Sequence, residues 1–191
     1  MKKRILALAV VAICISILAS TTLAYFTDRA IARNVITSAG IDIEVVEHQL
    51  IGGQIHPYPN EPIPVMPAQT VSKIVSVQNF EETAWIRARY TVTVYDANGD
   101  ILEISAEELE RVFVVEPDSE NWIRKDGWWY YRTAVETGGM TEPLFEEVIF
   151  SGPEMDNKYQ NCTVVIDVIA QATQKANNGE TVMEALGWPE D

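Results

Sequence analysis

Cysteine and histidine are almost missing from this chain, with two of each in 191 residues. Cys14 lies in an N-terminal apolar run, which leaves Cys162 without a partner for an internal disulfide, and a disulfide-stapled scaffold is thereby excluded. Without a basic neighbour in the sequence, and at the start of a strand pattern, Cys162 is expected to be a small core residue rather than a nucleophile. The histidines, His48 and His56, stand eight residues apart with no HExxH pattern around them, so a helix-borne zinc site is not expected. No Ser/His/Asp set can be singled out. Positive charge is scarce too: 14 Lys and Arg stand against 28 Asp and Glu, a net charge of −14. Such a polyanion repels nucleic acid and anionic lipid. Long apolar runs are missing everywhere but the N terminus, so any contact with a membrane is expected through that segment alone.

There, Met1-Lys2-Lys3-Arg4 precedes an uncharged run from Ile5 to Ala19, followed by Ser20-Thr21-Thr22-Leu23-Ala24. A short basic start, an apolar stretch and small residues before a cut describe a secretory signal peptide, here a signal helix over residues 1–24. Thr22 and Ala24 occupy the −3 and −1 positions of a cut before Tyr25. The alternative is an uncleaved anchor, since Ile5 to Phe26 is about as long as the roughly 20 residues that span a bilayer. Cleavage would remove Lys2, Lys3 and Arg4 and no acid, lowering the net charge by three, to −17. Residues 25–191 then fit one secreted domain.

The remaining pattern is that of strands. Ile41, Ile43 and Val45 alternate with Asp42 and Glu44, ahead of a break at Gly52-Gly53. Five of the eleven residues from Pro57 to Pro67 are proline, which confines residues 57–67 to a loop or a sheet edge. Val71–Val77 reads as a strand. In Trp85–Tyr95, residues Ile86, Ala88, Tyr90, Val92 and Val94 share one face, with Arg87, Arg89, Thr91 and Thr93 on the other. Asn98-Gly99 marks a turn, and Ser105-Ala106-Glu107-Glu108 is a capping box opening a short helix. Asp96, Asn98 and Asp100 have calcium-loop spacing, but Ile101 stands where such a loop needs glycine. Trp122–Lys125 and Trp128–Tyr131, joined by Asp126-Gly127, form a hairpin pattern. Phe145–Phe150 and Thr163–Thr173 add strands, and Thr181–Leu186 a helical turn or two. An all-β, two-sheet antiparallel sandwich with one or two short helices is the expected fold.

Two groups of residues are candidates for interaction. In the aromatic cluster Trp122, Trp128, Trp129, Tyr130 and Tyr131, alternate residues must face opposite ways. One half is expected in the core, and the other half, Trp128 and Tyr130 or Trp129 and Tyr131, is free for carbohydrate or a neighbouring subunit. Residues 25–37, including Phe26, Ala30, Val35 and Ile36, contain few charges and no obvious turn. Freed by cleavage, this segment could pair with an open sheet edge of the next subunit, or else within its own sandwich.

The run LAYFTDRAIARNVITSAGIDIEVVE resembles the signal and early mature region of proteins cut by the specialised signal peptidase SipW, the TasA and camelysin family of biofilm-matrix and surface proteins. The segments VSKIVSVQN, WIRARYTV, DGWWYYRTAVETGGMTEPLF and VVIDVIAQATQKANN carry the resemblance through most of the chain. The Pro-rich stretch departs from the short connection expected there. The resemblance implies a jelly-roll sandwich, a SipW-type peptidase as partner during export, and self-assembly or matrix partners afterwards; the residues themselves lead to the expectation of no cofactor. It also implies a place in the extracellular matrix or on the surface of a Gram-positive type of bacterium. Camelysin is described as a metalloprotease, but zinc ligands of the usual kind are not evident in this chain.

Overall fold

The computed structural model describes residues 26–28, 31–34, 41–59 and 63–189. The expected signal segment, its cut at Thr22, Ala24 and Tyr25, and the positions Ala30, Val35 and Ile36 lie outside the described residues. Those described form two packed sheets, mostly antiparallel, with one α-helix.

The first sheet is built from β1 (Phe26–Asp28), β2 (Ile31–Asn34), β5 (Ile63–Val65), β7 (Ala84–Tyr95), β9 (Trp122–Lys125), β10 (Trp128–Tyr131) and β12 (Thr163–Gln174). Its order is β5-β1-β12-β7-β10-β9, with β2 also against β12. The second sheet runs β4-β3-β6-β11-β8, from β3 (Ile43–Ile51), β4 (Gln54–Pro57), β6 (Thr70–Asn79), β8 (Phe113–Val115) and β11 (Phe145–Phe150). Proline falls where a missing N–H is tolerated: Pro57 and Pro64 both sit in the edge strands β4 and β5.

The alternation expected of β7 is present. Ile86, Ala88 and Val94 are buried against the second sheet, Tyr90 and Val92 are half-buried, and Thr91 is exposed. The strand starts at Ala84, and Trp85 belongs to the outer face. The helix α1 (Ala106–Val112) opens at Ser105, whose hydroxyl accepts from the Glu108 N–H at 3.2 Å. The Glu108 carboxylate turns instead to the Lys158 ammonium and to the Tyr159 hydroxyl, tying α1 to the 3-10 turn Asn157–Tyr159. Thr181–Ala185 is a single turn, not a helix, closed by Glu184 N–H to Thr181 O at 3.1 Å.

Two features have no local sequence signal. Both β1 and β2 run parallel to β12, which pairs antiparallel with β7 along its other side. And Lys73, in β6, points inward with Val71, Val75 and Val77. It is fully buried, its ammonium 2.9 Å from the Glu47 carboxylate of β3 and 3.9 Å from the centre of the Tyr58 ring. A buried cation is tolerated only when paired in this way.

Candidate interaction surfaces

The aromatic hairpin β9–β10 closes on Asp126-Gly127, both at positive φ (50° and 81°), the two-residue turn that matches strand twist. Trp122 is 1% exposed in the main core, and its indole N–H donates to the carbonyls of Glu142 and Pro143. Sequence alone left open which face of Trp128–Tyr131 turns inward; the structure covers both. Trp129 and Tyr131 pack against the main core while staying half-buried. Trp128 and Tyr130 lie on the outer face under the strap of residues 175–189 and form a second apolar cluster with Trp85, Val182 and Ala185.

Arg87 organises this outer cluster. Its guanidinium lies 4.3 Å from the Trp128 ring and 4.8 Å from the Trp188 ring, the geometry of a cation held between π faces. Its edges donate to Gln171 Oε1 at 2.6 and 2.9 Å, to the Tyr130 hydroxyl at 3.1 Å and to the Pro189 carbonyl at 3.2 Å. Arg89 covers Trp128 as well, at 4.5 Å. The strap is pinned by Asn178, whose amide donates to Gln174 O and Leu186 O and accepts from the Leu186 N–H. Gly179 (φ 75°) lets it turn where a Cβ would meet the Glu184 and Ala185 backbone at about 3 Å.

On the open side of the sandwich, between the β9–β10 hairpin and the α1–β8 corner, lies a cleft of about 590 Å³. Tyr90, Val92 and Trp129 form its floor, Leu109 and Phe113 its wall, and Glu110, Glu116 and Arg124 its charged lining. Burial pushes the Tyr90 hydroxyl above its ordinary range; the Arg124 charge pulls it back and Glu110 pushes it up. Trp129, placed here by the structure, is the one member of the aromatic cluster that lines this opening.

The chain-start candidates behave differently. Phe26 lies in β1, which pairs with Thr163–Val164 of β12 and with β5, while β2 pairs with Asp167–Ala170. The described parts of the segment expected after the cut, residues 26–28 and 31–34, therefore pair within the first sheet of their own chain.

Among the described residues, sites for chemistry are few. Cys162 is buried, its thiol 3.3 Å from the Lys158 carbonyl and pushed up by desolvation. His48 and His56 sit, half-buried, in the β3–β4 hairpin. Among the described residues no group of three His, Cys, Asp or Glu could hold a metal ion. Asp96, whose spacing suggested calcium, is bound to its own turn: one oxygen accepts from the N–H groups of Asn98 and Asp100, which hold its carboxyl below the usual range. Among the described residues no helix is long and apolar enough to cross a membrane.

No protein-family model matches the chain, and no curated protein and no solved structure matches it either.

Proposed function

We propose that this chain is a secreted or cell-surface structural protein, a matrix or fibre subunit released by a signal peptidase of the SipW type. One observation carries the reading. The residues that would follow the cut at Ala24 are strand material, β1 and β2, and their backbone groups are shared with β12 at one side of the first sheet. Strands that are joined to the sheet through a backbone ladder can pass those bonds to the matching strand of a neighbour. The acidic charge supports solubility and repels nucleic acid. The resemblance at residues 23–47 points to the same class.

The test compares protein 25–191 with a version starting at Gly40, by light scattering and electron microscopy. Fibres from the longer form alone, blocked by a peptide of residues 25–38, support strand exchange. A longer form that stays monomeric across concentration and pH rules out the fibre role.

A carbohydrate-binding role is the second reading, favoured by the cleft: an aromatic floor at Trp129 and Tyr90 beside Glu110, Glu116 and Arg124 suits a sugar ring. Retention on a glycan column, lost in Trp129→Ala, would support it.

A further inference from the structure

We propose that the tip of the β3–β4 hairpin docks in the open-side cleft of a second copy of this chain. The proposal rests on the fibre-subunit reading and names a contact that holds subunits in register.

The tip is apolar, exposed and preorganised. β3 ladders with β6 as far as His48, beyond which the Leu50 N–H donates to the Ser72 hydroxyl of β6 at 2.8 Å, and β4 is the end strand of the sheet. Leu50 and Ile55 are cross-strand partners, 52% and 65% exposed, and Ile51 on the other face is 55% exposed. Gly52 and Gly53, at φ 59° and 81°, close the hairpin with the tight turn only such residues allow without strain. Its base is anchored: the Tyr58 N–H donates to Glu47 O at 2.9 Å, and Tyr58 covers the buried Lys73–Glu47 pair. A rigid tip loses little freedom on docking.

Charge selects the occupant. From His48 to Asn60 the sequence contains no Asp, Glu, Lys or Arg, although the whole chain carries 42 charged residues. Copies of a chain with a net charge of −14 repel one another, so they meet most easily where one side is uncharged. With no cation on the tip, anionic lipid offers it no attraction. The receiving surface is the cleft floored by Tyr90, Val92 and Trp129, whose size falls within the roughly 300–1,000 Å³ typical of binding clefts.

Topology makes the contact propagate. β4 and β8 are the two ends of the second sheet, so tip and cleft belong to opposite edges. A contact between unlike surfaces does not close on itself as a twofold dimer does; it builds rings or open filaments.

The test uses two variants of the protein recovered from an expressing culture, Leu50→Ser/Ile55→Ser in the tip and Ala106→Arg in the exposed mouth of the cleft. Circular dichroism and thermal melting establish that each folds. By sedimentation velocity each should self-associate roughly tenfold or more weakly than the native chain, the scale of leaving one or two aliphatic side chains wet. Mixed together, one variant supplies an intact cleft and the other an intact tip, so the mixture should form one-to-one dimers and nothing longer. In a mixture of Ile55→Cys and Ala106→Cys, a maleimide cross-linker should trap the same dimer. Native assembly that neither variant weakens overturns this contact and leaves the fibre reading standing. A native chain that never associates overturns both. Tip-dependent binding to phosphatidylcholine vesicles without self-association also overturns the proposal, in favour of a lipid surface.

Discussion

The two hairpins β3–β4 and β9–β10 share one local design and meet opposite fates. Each joins its strands through two residues at positive φ, Gly52-Gly53 in one and Asp126-Gly127 in the other. The first leaves Leu50, Ile51 and Ile55 in solvent; the second has both faces covered, by the main core on one side and by the strap on the other. Turn chemistry decides that a hairpin forms. What covers it is decided by segments far away in sequence, chiefly residues 175–189. A covered hairpin is part of the cooperative fold, whereas an edge hairpin with an exposed tip can bind at little cost to the rest.

Substitutions separate the two cases. Trp122→Ala, in the covered hairpin, should cost about 3–5 kcal/mol in urea unfolding, since it empties a packed site and strands two carbonyls. A cost below about 1 kcal/mol would mean that the hairpin is no part of the core. Arg87→Ala should cost about 1–3 kcal/mol, because it leaves Gln171 and two stacked rings without their partner. Arg87→Lys should recover little of that, lacking the planar fork. Gly127→Ala and Gly53→Ala impose a similar strain of about 1–2 kcal/mol on φ. The first should appear in global unfolding and the second only as faster amide exchange at the tip; equal global effects would erase the contrast.

A control lies outside both hairpins. The Lys158 ammonium, then the Tyr159 hydroxyl, hold the Glu108 carboxyl below its usual range. Its contribution is therefore present above the ordinary glutamate range and is lost as pH falls through the depressed value. Amide protection of α1 should drop in that acid window, and Glu108→Gln should remove the drop. The smallest effect is expected for Leu50→Ser: within about 0.5 kcal/mol on the stability of an isolated subunit, as for exposed positions generally.

Much of this fold is legible in the sequence wherever a short-range rule operates. Asp126-Gly127 announces its hairpin, Ser105 its helix, and the alternation from Ile86 to Val94 its inward face. The rule of alternation falls silent at Trp128–Tyr131, because a strand buried on both sides has no polar face to betray its orientation. The strap is equally silent: Asn178, Val182 and Trp188 gain meaning only from the Trp85 and Arg87 they cover. Lys73 interrupts an apolar alternation, and its partner Glu47 lies 26 positions away, beyond any local pattern. The parallel register of β1 and β2 on β12 likewise depends on residues more than 130 positions apart. Of the candidate surfaces, the aromatic cluster could be named in advance, but the cleft that only Trp129 reaches could not.

The position of β12 also bears on timing. It joins β7 along a twelve-residue ladder and holds β1 and β2 on its other side, yet among the described residues it is the last strand in chain order. A chain made from its N terminus presents β1, β2 and β7 long before β12 exists to receive them. Until then the first sheet consists of two separate parts, β1 with β5 and β7 with β10 and β9. Closing loops of that length is slow, so the first sheet is completed late. Among the described residues, the last strand to be made is thus the one that turns two sheet fragments into a single sheet.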